Sequence, residues 1–300
     1  MSPKKKILQN PGPPPPKKQK AQTTLVEAAR AAALAATGGD FNAARLFSAR
    51  APRANAWLAP GFSPDPAPPE RQQLDWLGCS AVRALLRMRF GLPLRPRVGG
   101  CLGCRRLVAD TLGVHTLSCT SGGGRTHVHH EIRDLVFAFA SGGLLQPFRE
   151  AIVPVNPRPG RLQPDLLFRA GARPLALDVA ICNALAPSSC RAAASAETGA
   201  GAATEYEQKK ILKYGAACAA SGWDFAPLVV DTFGGWGALS LPVLLRVGRA
   251  WARALDLPAR GATDYFFSVL SLRLQRLLAH LLSTAVAQDA IGEEERTDVQ

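Results

Sequence analysis

Two aspartates, Asp165 and Asp178, lie in apolar segments that have the pattern of neighbouring strands in a hairpin. Residues 162–182 contain aliphatic runs on both sides of a turn at Gly171 and Ala172. A turn centred between these two residues makes the aspartates oppose each other on one face, where like charges about 5 Å apart destabilise the pairing. A divalent cation between the carboxylates would replace repulsion by coordination, and oxygen ligands suit Mg²⁺ or Mn²⁺. The alternative is that the acids lie at strand ends in water.

Three lysines follow in the segment EYEQKKILKY: Lys209, Lys210 and Lys213. Beyond the first twenty residues, the chain contains 27 arginines but only these three lysines. A lysine ammonium is a compact charge that can approach one phosphate oxygen, or lose its proton where its pKa is lowered. Lys210 and Lys213 are three residues apart, so a helix presents them on one face. Two acids with a nearby lysine suit metal-assisted phosphodiester hydrolysis. A solvated basic helix face is the alternative.

A cysteine–histidine motif precedes the hairpin. Cys101, Cys104, His115 and Cys119 have the spacing C-x2-C-x10-H-x3-C. Thiolates and imidazole are the ligands of tetrahedral zinc, and four protein ligands leave no open position. We therefore expect a structural zinc ion here; the alternative is a chance arrangement of buried thiols.

A polar helix begins between the motif and the hairpin, in the segment GGGRTHVHHEIRD. Arg125, His129 and Arg133 are candidate DNA-binding residues of this helix, and Lys209 is one further along the chain, since basic side chains contact phosphates. Glu131 could add a third carboxylate to the metal site, although a polar face turned toward water explains it better.

The elements that must position these groups follow in a regular order. The apolar patterns predict, in turn, a helix over 127–140, strands over 148–155, 162–169 and 175–182, a mobile loop over 187–203, a helix over 204–221 and a strand over 225–231. The predicted fold class is α/β: a small mixed sheet in αβββαβ order with flanking helices, preceded by the cysteine–histidine motif.

These features together resemble a known group of nucleases. A Pro-Asp pair ending at Asp165, Asp178 thirteen residues later and a following lysine resemble the PD-(D/E)xK fold of restriction-type endonucleases. The closer resemblance is to the nuclease at the C-terminus of R2-type non-LTR retrotransposon proteins. In that variant the lysine lies on the next helix in a K-x-x-K-Tyr arrangement, matched here by Lys210, Lys213 and Tyr214, and a CCHC zinc knuckle lies upstream.

The resemblance implies a metal-dependent endonuclease that nicks target DNA. Asp165, Asp178 and the main-chain carbonyl of Val179 would hold Mg²⁺ or Mn²⁺. Lys210 or Lys213 would act on the phosphate or on the attacking water. Two alternatives stay open: a zinc-stabilised nucleic-acid-binding module without catalytic activity, left by a decayed element, and a structural or interaction protein with exposed hairpin acids.

The resemblance spans roughly residues 101–231 and departs from the commoner nuclease pattern at one position. That pattern has lysine at position 180, where this chain has Ala180, so the lysine assignment depends on the displaced variant. The flanking segments FGLPL and DTFGGWG resemble reverse-transcriptase-related sequences from algae. A Tyr/Phe-x-Asp-Asp polymerase box does not occur in the sequence. We therefore expect only the nicking part here, with DNA as partner and RNA or a reverse transcriptase acting in trans as further candidates.

The predicted organisation has six segments. They are a disordered basic and Pro-rich tail (1–23), a helical segment with a Pro-rich connector (24–98), a zinc knuckle (99–126), an endonuclease-like core (127–235), C-terminal helices (236–290) and a disordered tail (291–300). Shorter predictions within the second segment are a helix over 24–34, a connector over 51–69 and one or two helices over 69–90.

Charge and composition restrict the class of protein. The formal net charge is +13, and the first twenty residues contain six lysines around a proline run. That tail resembles a nuclear import signal, so we expect nuclear localisation; a solubilising or phosphate-contacting tail is the alternative. Seven cysteines without an N-terminal apolar segment argue against a secreted disulfide framework. An uninterrupted apolar stretch of about 18 residues does not occur, which predicts no membrane association.

Overall fold

The computed structural model describes residues 45, 48–49, 51, 53–54, 79–94, 99–101, 104, 107–108, 111–121, 123–155, 162–195 and 199–297. The tail over 1–23, the helix over 24–34 and nearly all of the connector over 51–69 lie outside these residues. All described residues belong to one compact unit, Asp40–Gln300.

The described residues form seven helices and six strands. In chain order they are α1 Cys79–Phe90, β1 Gly99–Gly100, β2 Leu107–Val108, α2 Val114–Ser118, α3 Gly124–Gly142, β3 Pro147–Arg149, β4 Leu166–Phe168, β5 Leu175–Cys182, α4 Cys190–Ser195, α5 Gly201–Ala220, β6 Asp224–Asp231, α6 Ser240–Ala254 and α7 Ala259–Thr297.

The main sheet is mixed and has the strand order β3-β4-β5-β6. The first three strands are antiparallel, while β6 pairs with β5 in parallel after the crossover through α4 and α5. Leu166 pairs with Leu177, and Phe168 pairs with Leu175. This is the register that a turn centred between Gly171 and Ala172 requires, so the predicted hairpin register is confirmed. A small antiparallel pair, β1 and β2, accompanies the cysteine–histidine motif.

Side chains of the hairpin alternate between two cores. Leu166 and Leu177 belong to the larger core, which includes residues of α3, α6 and α7. Leu167 and Ala176 belong to a smaller core with Tyr214 of α5. Because successive side chains of a strand point to opposite faces, the two candidate aspartates, each one residue from a member of the larger core, share the face covered by α5.

The first strand of the predicted αβββαβ order, observed as β3, is shorter than expected. We predicted a strand over 148–155, but β3 ends at Arg149. Gln146 and Glu150 flank it with φ angles of 48° and 53°. Such left-handed backbone does not continue a strand, which limits β3 to three residues.

Three further segments differ from the sequence predictions. The strand predicted over 162–169 is observed only as β4, Leu166–Phe168. The region predicted as a mobile loop over 187–203 contains the short helix α4, because CRAAAS is rich in alanine, the best helix former. The observed order therefore has an additional helix before α5. The last helix continues to Thr297, past residue 290 where we predicted a disordered tail, and residues 298–300 lie outside the described part. None of the described helices is both long and apolar enough to cross a membrane.

Candidate active site and metal centre

Asp165 and Asp178 line one open cleft of about 520 Å³. Asp165 directly precedes β4, and the hairpin register brings it opposite Asp178 in the middle of β5. Helix α3 contributes His129 to the cleft wall, and α5 contributes Lys210 and Tyr214. The structure therefore brings together residues that are up to 85 positions apart in sequence, from strand β5, the position before β4, and two helices.

Asp178 is the more buried of the two acids. Its side chain is only 6% exposed, and Lys210 Nζ lies 2.5 Å from its Oδ2 atom. Although this oxygen is buried next to an ammonium group, it receives no hydrogen bond of ordinary geometry from the described residues. The oxygen thus has lone-pair capacity left for another partner.

Asp165 lies at the edge of the cleft with its side chain 16% exposed. Its Oδ1 atom is 3.0 Å from His129 Nε2, and its Oδ2 atom accepts a 2.7 Å hydrogen bond from the main-chain N–H of Val179. The second contact joins Asp165 to the strand that carries Asp178. These two contacts fix the carboxylate orientation and leave each oxygen able to accept a further interaction.

The three lysines of α5 have different partners although they are close in sequence. Lys210 contacts Asp178, whereas Lys213 donates a 2.8 Å hydrogen bond to the Tyr214 hydroxyl. Lys209 forms an exposed ion pair with Glu205 at 2.8 Å. Only Lys210 of the three lines the cleft. Of the predicted lysine pair, Lys210 therefore contacts an acid directly, whereas Lys213 is connected to the acids only through Tyr214.

Tyr214 connects Lys213 with the cleft. Burial, followed by the interaction of its hydroxyl with Asp178, raises the pKa of the Tyr214 phenol well above its ordinary value. A protonated phenol can donate to Asp178 while it accepts from Lys213.

Tyr206 is a cleft residue that the sequence reasoning did not select. Its ring lies 5.7 Å from Lys210 Nζ, four residues further along α5. The signal that could have found it is the helical i,i+4 spacing from tyrosine to lysine.

Both arginines that we predicted to bind DNA have protein partners. Arg125 donates to the main-chain oxygens of Ser118 and Ile181. Arg133 is buried, and it donates to Asp134 at 2.9 Å and to Glu150 at 3.0 Å. These contacts favour a structural role for Arg133, because a buried guanidinium between carboxylates cannot reach a phosphate without losing them.

The acids of α3 face away from the cleft. Glu131 forms an ion pair with Arg273 of α7, with one oxygen contacted by two guanidinium nitrogens. Asp134 contacts Arg133 and Arg149. Burial by itself would raise the pKa of Asp134, but the two guanidinium groups lower it overall. Neither acid lines the cleft, so Glu131 is not among the residues around the candidate metal site, but it faces Arg273 of α7 rather than water as we predicted.

Cys101, Cys104, His115 and Cys119 form a group that could hold a metal ion. Their ligand atoms all lie within 4.8 Å of one another, and this is the only such group of three or more metal-ligating side chains found among the described residues. Cys101 Sγ is 3.6 Å from Cys119 Sγ, and Cys104 Sγ is 3.3 Å from His115 Nε2. His115 lies in α2 and Cys119 caps its end, so the helical i,i+4 spacing directs both toward Cys101 and Cys104.

Two other buried acids have structural partners, and the sequence reasoning singled out neither of them. Glu207 is fully buried in α5 and accepts hydrogen bonds from the main-chain N–H groups of Leu239 and Ser240 at the start of α6. Asp231 ends β6 and accepts from the N–H groups of Phe233 and Gly235. Burial raises the pKa of Asp231 to about 7 in spite of these donors.

Comparisons with known proteins give no family assignment. No protein-family model matches the chain, and no curated protein matches it either. The interpretation of the cleft and of the cysteine–histidine group therefore depends on their own geometry and on the motif spacing. The resemblance to restriction-like nucleases remains a prediction.

Proposed function

We propose that this protein is a metal-dependent DNA endonuclease of the PD-(D/E)xK type, related to the nicking domain of R2-type non-LTR retrotransposon proteins. The observation that carries the proposal is the cleft lined by Asp165, which directly precedes β4, and by Asp178 of β5, where the ammonium group of Lys210 contacts Asp178. Hydrolysis of a phosphodiester requires these groups within reach of one phosphate.

The arrangement of elements supports this proposal. A helix, an antiparallel three-strand unit, a crossover and a parallel fourth strand follow one another in the chain. The restriction-like fold that we infer has this αβββαβ order, with α4 as an addition before α5. The displaced lysine is supported by Lys210 of α5, since it reaches Asp178 whereas position 180 is alanine.

The donors in the cleft fit a hard divalent cation. Asp178 Oδ2 is buried without an ordinary hydrogen bond, and both oxygens of Asp165 retain a lone pair. Carboxylates with the main-chain carbonyl of Val179 would hold Mg²⁺ or Mn²⁺, which keep several waters when only one or two carboxylates bind them. When bound, such an ion polarises a phosphate and lowers the pKa of a coordinated water.

The side chains around the acids have distinct roles in the proposed reaction. Lys210 offsets the negative charge that develops on the phosphate oxygens, because its ammonium group is already in the cleft beside Asp178. His129 and the Val179 N–H hold the Asp165 carboxylate in one orientation. Tyr214, which accepts from Lys213, supports Asp178 from the α5 side.

The remaining parts of the proposal concern partners and location. A net charge of +13 suits a DNA partner, and binding to phosphates should weaken steeply with added salt. We infer that Cys101, Cys104, His115 and Cys119 hold a structural zinc ion. The lysine-rich tail supports nuclear localisation, and a reverse transcriptase or RNA supplied in trans is the partner that a nicking domain would serve.

The test is nicking of a supercoiled plasmid by the zinc-loaded protein in Mg²⁺. Asp178→Asn preserves the side-chain shape and should lower the nicking rate by about 10²-fold or more, because it removes a ligand charge. Asp224→Asn is the matched control, since Asp224 is half-exposed at the start of β6 and pairs with Arg173 away from the cleft. Equal nicking by wild type and Asp178→Asn would refute the proposal.

A nucleic-acid-binding module without chemistry is the second candidate. The observation that favours it is that each acid already has a protein partner, Lys210 Nζ beside Asp178 and His129 Nε2 beside Asp165. This candidate predicts plasmid binding without Mg²⁺-dependent nicking. The same plasmid experiment, read by gel shift as well as by conversion to the nicked form, separates the two functions.

A further inference from the structure

The short helix α2 is hydrogen-bonded to the chain just after β5. Asn183 follows that strand, is buried, and donates from Nδ2 to the Val114 carbonyl at 2.9 Å and to Ser118 Oγ at 2.8 Å. Val114 and Ser118 are the first and last residues of α2, which contains His115. A helix that supplies one ligand of the cysteine–histidine group is therefore held at both ends by one amide.

Arg125 forms a second connection between the same two elements. From the first turn of α3, its Nη1 donates to the Ser118 carbonyl at 3.2 Å and its Nη2 donates to the Ile181 carbonyl at 3.1 Å. One planar guanidinium thus joins the residue before Cys119 to β5. Lysine could not reproduce this bridge, because its three N–H donors radiate from one nitrogen and lack the planar fork of two separate nitrogens.

The connected part of β5 is the part that forms the cleft. Asp178, Val179 and Ile181 all line the cleft and belong to one uninterrupted strand. Val179 also donates to Asp165, so a shift of this strand changes the position of both acids. Interactions that fix the end of β5 relative to α2 therefore act on the cleft through rigid backbone.

We propose that Arg125 is a positioning residue that couples the metal state of the cysteine–histidine group to the geometry of the carboxylate cleft. The inference rests on the proposed binding of zinc by that group. With the metal bound, α2 is fixed and Arg125 holds the end of β5; without it, His115 and Cys119 are released and the two hydrogen bonds to Ser118 and Ile181 loosen. Arg125 itself also lines the cleft, but the role proposed here is exerted through the backbone of β5.

The test follows the Ile181 methyl group by NMR in protein labelled at isoleucine methyl groups. In wild type, removal of zinc by a chelator should shift or broaden the Ile181 resonance, while Ile152 and Ile211, which lie outside the cleft lining, change little. In Arg125→Ala, the zinc-loaded protein should already show the displaced Ile181 resonance, and zinc removal should add little. Arg125→Lys, which keeps the charge, should behave as Arg125→Ala does.

Arg246→Ala is the matched control. Arg246 donates to the Ala170 carbonyl at 2.9 Å, so it also joins a guanidinium to the β4–β5 hairpin, but at the opposite end from the cysteine–histidine group. This variant should keep the wild-type response of Ile181 to zinc. If Arg125→Ala does not fold, Asn183→Ala removes the parallel connection and should reduce the same response.

Zinc content, measured on each sample, separates the two possible failures. Wild type that binds about one zinc equivalent but whose Ile181 resonance is unchanged by zinc removal would overturn the coupling and leave the zinc site intact. Wild type that binds no zinc would overturn both. An Arg125→Lys protein with the full wild-type response would show that the Ile181 response depends on the positive charge at this position and not on the bridge between two carbonyls. That result would also overturn the proposal.

Discussion

The cysteine–histidine group and the carboxylate cleft both contain metal-ligating side chains, but the partners of these side chains differ between the two regions. In the first, three thiols and an imidazole converge on one another, with their ligand atoms within 4.8 Å. In the second, each carboxylate faces a basic group of the protein, Lys210 for Asp178 and His129 for Asp165. One region has the ligands of a closed site, and the other is an open cleft in which each acid contacts a nitrogen atom of a neighbouring side chain.

This difference indicates two modes of metal use. Four converging soft ligands suit an ion that is bound with the fold and has no free coordination position. Two carboxylates in an open cleft suit an ion that retains waters and binds together with a phosphate. We therefore expect a structural ion in the cysteine–histidine group and an exchangeable ion in the cleft.

In the cleft, the largest expected effect on the nicking rate comes from substitution of the lysines of α5. Lys210→Met should lower Mg²⁺-dependent nicking by about 10²-fold, since it removes the ammonium group beside Asp178. Lys213→Met should lower nicking by about tenfold or less, because Lys213 acts through Tyr214. Lys209→Met removes the same charge outside the cleft, so it should lower nicking less than Lys210→Met does and reports the general contribution of the α5 charges to DNA binding. A reversed order of Lys210 and Lys213 would contradict the assignment.

In the cysteine–histidine group, removal of one thiol should lower zinc binding and the thermal stability of the protein. Cys104→Ser should reduce bound zinc from about one equivalent to less than half, and lower the thermal unfolding midpoint by about 10 °C. Zinc is measured by elemental analysis and unfolding by circular dichroism. Cys190→Ser, outside the group, should retain zinc. Full zinc occupancy in Cys104→Ser would show that the group is not the binding site.

The smallest expected effect concerns Asp231. This buried acid accepts hydrogen bonds from main-chain N–H groups and lies outside both the cleft and the cysteine–histidine group. Burial raises its pKa from an ordinary 3.8 to about 7 in the folded state, so the folded protein binds this proton more tightly than the unfolded chain. The contribution of Asp231 to stability is complete below about pH 4 and is lost as the pH rises through about 7.

Asp231→Asn removes this titration. The loss of unfolding free energy between pH 5 and pH 8, measured by chemical denaturation, should therefore be smaller in Asp231→Asn than in wild type. An equal loss in both proteins would show that Asp231 is already ionised at pH 5 in the folded state.

Sequence reasoning succeeded where the deciding interactions are local. The hairpin register follows from one turn, so the opposition of Asp165 and Asp178 could be predicted by counting from Gly171. The convergence of the cysteine–histidine group likewise follows from a CxxC turn and an i,i+4 pair. Strand ends were predicted less well, because positive φ angles at Gln146 and Glu150 terminate β3.

The partners of charged side chains could not be predicted in the same way. Nothing in the spacing of Arg133 indicates that it is buried between Asp134 and Glu150, since the second partner depends on how α3 packs beside β3. Lys210 and Lys213 share a helix face in sequence but end beside different groups. A local signal did exist for Asp231, because an aspartate before a Gly-Gly turn commonly accepts main-chain N–H groups two and four residues later.

The most direct test of the account is binding of Mn²⁺ by the cleft, measured by electron paramagnetic resonance on the zinc-loaded protein. Wild type should bind Mn²⁺ at a site that Asp178→Asn weakens by about tenfold or more, while Asp224→Asn binds as wild type does. Equal Mn²⁺ binding by wild type and Asp178→Asn would contradict the claim that the two opposed aspartates hold a divalent ion.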